Sequence, residues 1–465
     1  MDGKFVAFSD ILSDILEDTY SCMEVVMRIT KKQIAVITVL NIVIAGLIAA
    51  IVILRAPRRA EGIGGSEPDD GGIQVVAPPH EKLRDAQNGK VKEISYETRL
   101  MGSGDESVIF TFAAGGVTYI FGNAVVPDYD FDSSGGFLCR VGSEGEILGF
   151  TYFDGKLCAA GVVEGGFCAA TVTGAGTNDE KSVLYAVSDG GAIDKLSTVE
   201  GTVVDVTTVD SKKMAVVAMI GEGTLKLTEF TRAGGGWALG SSTRISNGLK
   251  LQYFDCYISS EGYIISARAF SNPRYDKIVF YTFRAGGDAV PHYYDLDESI
   301  LRPYAVLPYD NGYVAVCDKN GEAAIVTVDY GFTSFRRDML GFKFSDASLI
   351  EMNGKYYACF IDDNGGITYE LDKLLNRKTV TAISGARLCA VVNMDSPLYV
   401  CTTATAVTIK NGTGVSVTLD IKDCVINRVI KTGYNEMLIV MTAKGGSALS
   451  KPTGGADVYA ISVKL

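Results

Sequence analysis

Two patterns of apolar positions divide this chain. From Ile34 to Leu54 the apolar run is continuous, interrupted by Thr38, Asn41 and Gly46 and by no charge. At ~1.5 Å per residue the run spans roughly 31 Å, close to the thickness of a bilayer's hydrocarbon core. Arg28, Lys31 and Lys32 flank it on one side and Arg55, Arg58 and Arg59 on the other. Buried helices of soluble proteins rarely stay apolar this long. A cleaved signal peptide starts earlier, is shorter and ends in small residues, where this run ends in arginines. Residues 34–54 therefore read as a single transmembrane helix.

The second pattern runs from Val91 to Leu465, where short apolar runs alternate with Gly, Asp and Asn turns and no helical period persists. That texture predicts strands. Between the two, residues 55–90 contain EGIGGSEPDDGG and almost nothing to bury, so they read as a flexible linker. Residues 1–33 read as a tail with an amphipathic helix. Phe8, Ile11, Leu12, Ile15, Leu16, Tyr20, Met23 and Met27 recur at helical spacing, with Asp10, Asp14, Glu17 and Asp18 elsewhere around it. Its acid suits contact with a partner, or with itself, better than a membrane surface.

The strand region repeats. An apolar strand, a glycine turn and a second strand recur at 137–150, 183–196 and 278–290, and less closely at 366–380, 406–419 and 457–465. Other hairpins lie between them, as at 202–220 and 302–318. Successive repeats start roughly 40–53 residues apart, the length of a four-stranded propeller blade. Eight inner hairpins stand against seven complete outer ones, because only one strand follows the last inner hairpin. The segment 91–100 can supply the missing strand, closing the ring by pairing the two ends of the domain and removing two exposed edges. The expectation is an all-β, eight-bladed β-propeller over 91–465, with seven blades as the alternative.

Tyr185-Ala186-Val187-Ser188-Asp189-Gly190 and Val458-Tyr459-Ala460-Ile461 resemble the outer hairpins of the β-propeller repeat superfamily, the quinoprotein-like and WD40-like repeats. The resemblance covers most of 91–465 and implies a fold without an activity. The chain departs from it in having one tryptophan, Trp237, where such repeats use several to lock blades together, and in lacking the Gly-His and Trp-Asp signatures.

Composition narrows the chemistry. A net charge of −12 argues against a nucleic-acid partner, since phosphate binding needs a basic face. Ten cysteines sit mostly inside apolar runs, as small buried hydrophobes do, and show no zinc spacing. Cys389 and Cys401 flank the turn 394–397 and are the one disulfide candidate. Of two histidines, His80 lies in the linker. His292, between Pro291 and Tyr293-Tyr294, reads as a surface or satisfied core histidine, so histidine catalysis is disfavoured. The best metal candidate is Asp128, Asp130 and Asp132 before Gly135, alternating carboxylates that can wrap Ca²⁺ or simply face solvent from a loop. As an EF-hand loop the run fails, with Ser133 at the glycine position and Cys139 at the glutamate position. Otherwise no cofactor is expected. Asp318-Lys319-Asn320-Gly321, Asp362-Asp363-Asn364-Gly365 and Asn411-Gly412-Thr413 read as hairpin turns.

One stretch gathers the residues that binding hot spots favour. Arg268, Arg274, Tyr275, Tyr293, Tyr294, Arg302 and Tyr304 form the candidate ligand surface, with Arg284, Tyr309 and Tyr313 nearby. The functional expectation is a membrane-anchored binding or scaffold module for a protein, peptide or polysaccharide at the cell surface. The N-terminus is expected inside and the propeller outside, although the flanking Lys and Arg tie and the free cysteines pull the other way. The alternative is a propeller hydrolase, lactonase-like or glycoside-cleaving, using Ca²⁺ or paired carboxylates that the sequence does not single out.

Overall fold

A computed structural model describes residues 74–76, 82–84 and, with short interruptions in inter-strand loops, 91–464. Residues 1–73, with the expected tail helix and membrane span, lie outside the described residues, and no helix among the described ones is long and apolar enough to cross a membrane.

Seven antiparallel sheets of four consecutive strands follow one another along the chain. They form blade 1 (107–153), blade 2 (156–200), blade 3 (202–246), blade 4 (250–294), blade 5 (301–339), blade 6 (346–379) and blade 7 (387–419). Blade 8 holds Val425–Lys431, Glu436–Ala443 and Asp457–Lys464, and its fourth strand is Val91–Met101, with Leu100 opposite Val458 and Ile94 opposite Val463. The first strand of each blade touches the first strand of the next, and Val425–Lys431 touches Ser107–Ala114, so the ring closes at eight blades. The closing strand is the one expected from the sequence. On its outer edge lie two further strands, Gln74–Val76 and Lys82–Arg84, so part of the segment read as a linker covers an edge that would otherwise stay open.

The core lies between blades. Eight apolar clusters each straddle one blade junction, from Tyr119–Phe167 between blades 1 and 2 round to Ile120–Val440 between blades 8 and 1. Covered on both faces, the second strands are apolar almost without alternation, as in Gly312–Lys319 and Glu436–Ala443. Tyrosine and phenylalanine do the locking that tryptophan does in comparable repeats. Tyr119 meets Phe167 at 4.7 Å across blades 1 and 2, and Phe280 meets Tyr313 at 4.6 Å across blades 4 and 5. The inner strands approach closely. A Cβ on Gly161 would lie 2.2 Å from the Val206 carbonyl oxygen of the next blade. Gly161→Ala is therefore expected to cost about 1–3 kcal/mol through overpacking, read as a lowered urea midpoint with unchanged slope.

Seven of the eight innermost strands skip one residue in their register, next to Val108, Leu157, Val203, Tyr253, Pro303, Leu388 and Ile426. Such bulges re-aim side chains at barrel rims and sites. The residues resuming the ladder after each skip are Phe110, Ala159, Asp205, Asp255, Ala305, Ala390 and Arg428. Two acids thus occupy equivalent rungs of adjacent blades.

Candidate functional site

Asp205 and Asp255 form a carboxyl pair that the sequence does not single out. The Tyr253 hydroxyl donates to Asp205 Oδ2, which also accepts from Thr207 Oγ1 at 2.9 Å. The Cys256 amide donates to Asp255 Oδ1 at 2.9 Å. Burial first, and the Asp205 charge second, push the Asp255 carboxyl up to about 6 against the lowering effect of the Cys256 amide. Burial and the same two acids raise the Tyr253 hydroxyl. Asp255 can hold or release a proton near neutral pH, although a tyrosine already donates to Asp205 and a backbone amide to Asp255.

Beyond this pair a cleft of about 820 Å³ opens between blades 4 and 5. Three turns frame it: 259–262 between the first and second strands of blade 4, 283–290 between its third and fourth, and 329–335 between the third and fourth of blade 5. Strands alternate in direction, so these turns all fall at one end of the blades. Tyr257 and Tyr330 line the cleft and stack on each other, ring centroids 5.8 Å apart and planes 16° apart. Tyr313 stands edge-on to both, at 6.2 Å and 5.7 Å. The Tyr330 hydroxyl donates to the Tyr309 carbonyl at 2.8 Å, which fixes the platform.

Tyr313 is 2 % exposed, and its hydroxyl has no hydrogen-bond partner among the described residues. Burial, then Tyr330 and Asp255, raise that hydroxyl, which links the cleft floor electrostatically to the acid pair. On the wall, His292 stacks on Phe332 at 4.4 Å and its Nε2 meets Thr282 Oγ1 at 3.0 Å. Burial lowers the imidazole below its ordinary 6.5, which keeps it neutral at pH 7. Arg284 and Asp288, both exposed, complete the lining, and neither side chain has an ion pair or hydrogen bond among the described residues.

The residues expected to form the ligand surface are distributed differently. Arg268 lies near the far end of the second strand of blade 4, its guanidinium 4.4 Å over the Phe270 ring. Tyr293 is exposed on the outermost strand, and Tyr294 occupies the rung opposite Ile278, which in turn faces Arg268. Arg302 is half-buried opposite Asp318 in blade 5. Tyr304 packs its ring 5.1 Å from Phe344, in the core between blades 5 and 6. Arg268, Tyr293, Arg302 and Tyr304 do not line the cleft. Arg274 and Tyr275 lie outside the described residues, as do Asp128, Asp130, Asp132 and His80. Their neighbours in the same stretch do contribute: Arg284 is in the lining, Tyr313 backs it and Tyr309 anchors it. Tyr257, Tyr263, Tyr330 and Phe332 escape the sequence reading. The signal for them is their position beside turns that face the same end of the ring.

The nine described cysteines are free. Cys389 and Cys401 do not pair. Leu388, not Cys389, stands opposite Cys401, and the bulge sets the Cys389 Sγ 3.2 Å from Thr402 Oγ1. Burial pushes the Cys401 thiol up to about 12, which makes it inert at neutral pH. No group of three His, Cys, Asp or Glu among the described residues is placed to hold a metal. The turn readings hold where the chain is described. Asn320 and Gly321 adopt φ of 53° and 87° with Asp318 accepting from the Gly321 amide, Asp362 pairs with Gly365, and Asn411 pairs with Gly414.

No family model matches the chain, and no curated protein matches it. Solved propellers do. BamB from Moraxella catarrhalis is 10 % identical, covering 78 % of this chain and 100 % of its own, with a TM-score of 0.45. The β-propeller domain of the Trilobed protease from Pyrococcus furiosus is 7 % identical over 66 % of this chain and 96 % of its own, with a TM-score of 0.39. A virginiamycin B lyase from Staphylococcus aureus is 10 % identical over 70 % and 96 %, also at 0.39. These are likenesses of fold and bring no activity with them.

Proposed function

We propose that the chain is a binding or scaffold module, tethered to a bilayer by residues 34–54 with its propeller on the outer surface, and that a protein, peptide or polysaccharide partner occupies the cleft between blades 4 and 5. The observation that carries this reading is the cleft itself: about 820 Å³, floored by a locked tyrosine stack and rimmed by two charged side chains without partners among the described residues. Binding pockets combine such an apolar floor with a few convergent polar groups, and tyrosine and arginine supply most of the energy of binding hot spots.

Two experiments test it. Full-length protein in lipid nanodiscs is expected to retain soluble cell-envelope material. The double variant Arg284→Ala, Asp288→Asn is expected to retain at least about tenfold less, since a hydrogen bond to a charged group contributes roughly 1.5–3 kcal/mol. Equal retention overturns the cleft as the binding site. Protease treatment of intact cells carrying a tag after Leu465 is expected to remove the tag. Protection until lysis overturns the surface location and leaves the cleft reading standing.

The Asp205–Asp255 pair favours a second reading, a hydrolase using paired carboxylates, with Ca²⁺ at Asp128, Asp130 and Asp132 as its expected cation. Its test is hydrolysis of lactone and aryl-glycoside probes. An activity abolished in Asp205→Asn and Asp255→Asn but kept in the cleft variants supports this reading over the first.

A further inference from the structure

The rim of the cleft uses its backbone internally. The Phe332 amide donates to the Asp329 carbonyl at 2.9 Å, and Asp329 Oδ1 accepts from the amides of Thr333 and Ser334. Across the cleft, the Gly287 amide donates to the Arg284 carbonyl, and the Gly286 amide to Thr243 Oγ1. These five amides are engaged internally and are not available to an extended peptide adding as a strand. What the wall offers is side chains: the Arg284 guanidinium, the Asp288 carboxylate and the imidazole of His292, beside the tyrosine rings of Tyr257 and Tyr330.

The charges also choose. One cation and one anion, each without a partner among the described residues, stand on the same turn, and the imidazole is neutral. The local wall is therefore balanced, within a chain whose net charge of −12 repels anionic polymers. One planar charged group that donates and one that accepts, set beside fixed aromatic rings, match an occupant carrying many hydroxyls on flat apolar faces and no net charge.

We infer that the occupant of the cleft is a neutral glycan, one sugar ring lying on the tyrosine platform with its hydroxyls held by Asp288 and Arg284. The carboxylate accepts from two vicinal hydroxyls and the guanidinium donates to ring and hydroxyl oxygens. This inference rests on the reading of the cleft as the binding site.

The test uses full-length protein in lipid nanodiscs, free of sugar-based detergent. The probes are soluble β-glucan, xylan and N-acetylglucosamine oligosaccharides, an anionic polygalacturonate, and a pool of unmodified decapeptides, each titrated calorimetrically. Saturable binding of at least one neutral glycan is expected, weakened at least tenfold in Asp288→Asn and in Arg284→Ala. Both residues are exposed, so the variants are expected to keep the parent's unfolding midpoint. Tyr330→Leu is expected to abolish the binding. If the decapeptides bind in a way the two charge variants weaken and no neutral glycan does, the glycan inference falls and the cleft reading stands. Binding of polygalacturonate alone overturns the argument from charge balance. If no probe binds in a variant-sensitive way, the inference and the cleft reading fall together.

Discussion

Replacing Arg99 with alanine is expected to cost about 3–5 kcal/mol, the penalty for leaving a buried countercharge uncompensated. Arg99 sits in the strand that closes the ring, 3.8 Å from an Asp457 carboxylate whose side chain is fully buried. Glu97 and Glu106 are buried at the same join, and the Tyr459 hydroxyl feels all four groups. The Thr98 hydroxyl also crosses to the Gly145 carbonyl of blade 1 at 2.6 Å. Without the guanidinium, Asp457 must either be protonated or draw water into the closing blade, and both weaken the pairing of Val91–Met101 with Asp457–Lys464. The pair itself is imperfect, since Arg99 Nε and Nη1 make no hydrogen bond among the described residues. The double variant Arg99→Leu, Asp457→Leu is therefore expected to recover most of the deficit. Urea unfolding of the four members of this cycle measures it. A single-variant cost below about 1 kcal/mol, the range of an exposed pair, would show that this join does not hold the ring closed.

Asp255→Asn is expected to act in the opposite direction. In the folded protein the carboxyl titrates at about 6 against its ordinary 3.8, so the folded state binds the proton more tightly than the unfolded state. Stability contributed by this group is complete below 3.8 and is lost as the pH rises through 6. At 1.36 kcal/mol per unit, the charged carboxylate costs roughly 3 kcal/mol at pH 8. The amide keeps the shape and the contact with the Cys256 N–H without the charge. At pH 8 the variant is expected to be more stable by up to about that amount, and the advantage is expected to vanish near pH 4. Unfolding midpoints of parent and variant at pH 4, 6 and 8 measure it. A difference that stays constant with pH would mean that burial and the Asp205 charge do not raise this carboxyl.

The sequence carried the architecture because that information is local. Strand alternation has a period of two residues, Asn320-Gly321 is a turn wherever it folds, and a strand without a partner at 457–465 asks for another at 91–100. Those facts were enough for eight blades and for the way the ring closes. The same locality explains where the reading departs from the structure. Tyr304 and Tyr293 belong to one hot-spot stretch by sequence, yet one packs against Phe344 in a blade junction and the other faces solvent. Cys389 and Cys401 flank a turn, but a single-residue bulge moves the first cysteine out of register with its expected partner. Asp205 with Tyr253, and Tyr257 with Tyr330, come from different blades and meet because neighbouring sheets pack face to face. Hydrogen-bond register within a blade is written in nearby residues. Which rung of one blade faces which rung of the next depends on bulge, twist and packing around the whole ring, so the chain alone determined the propeller and only the closed tertiary structure decided where its cleft and its acid pair would be.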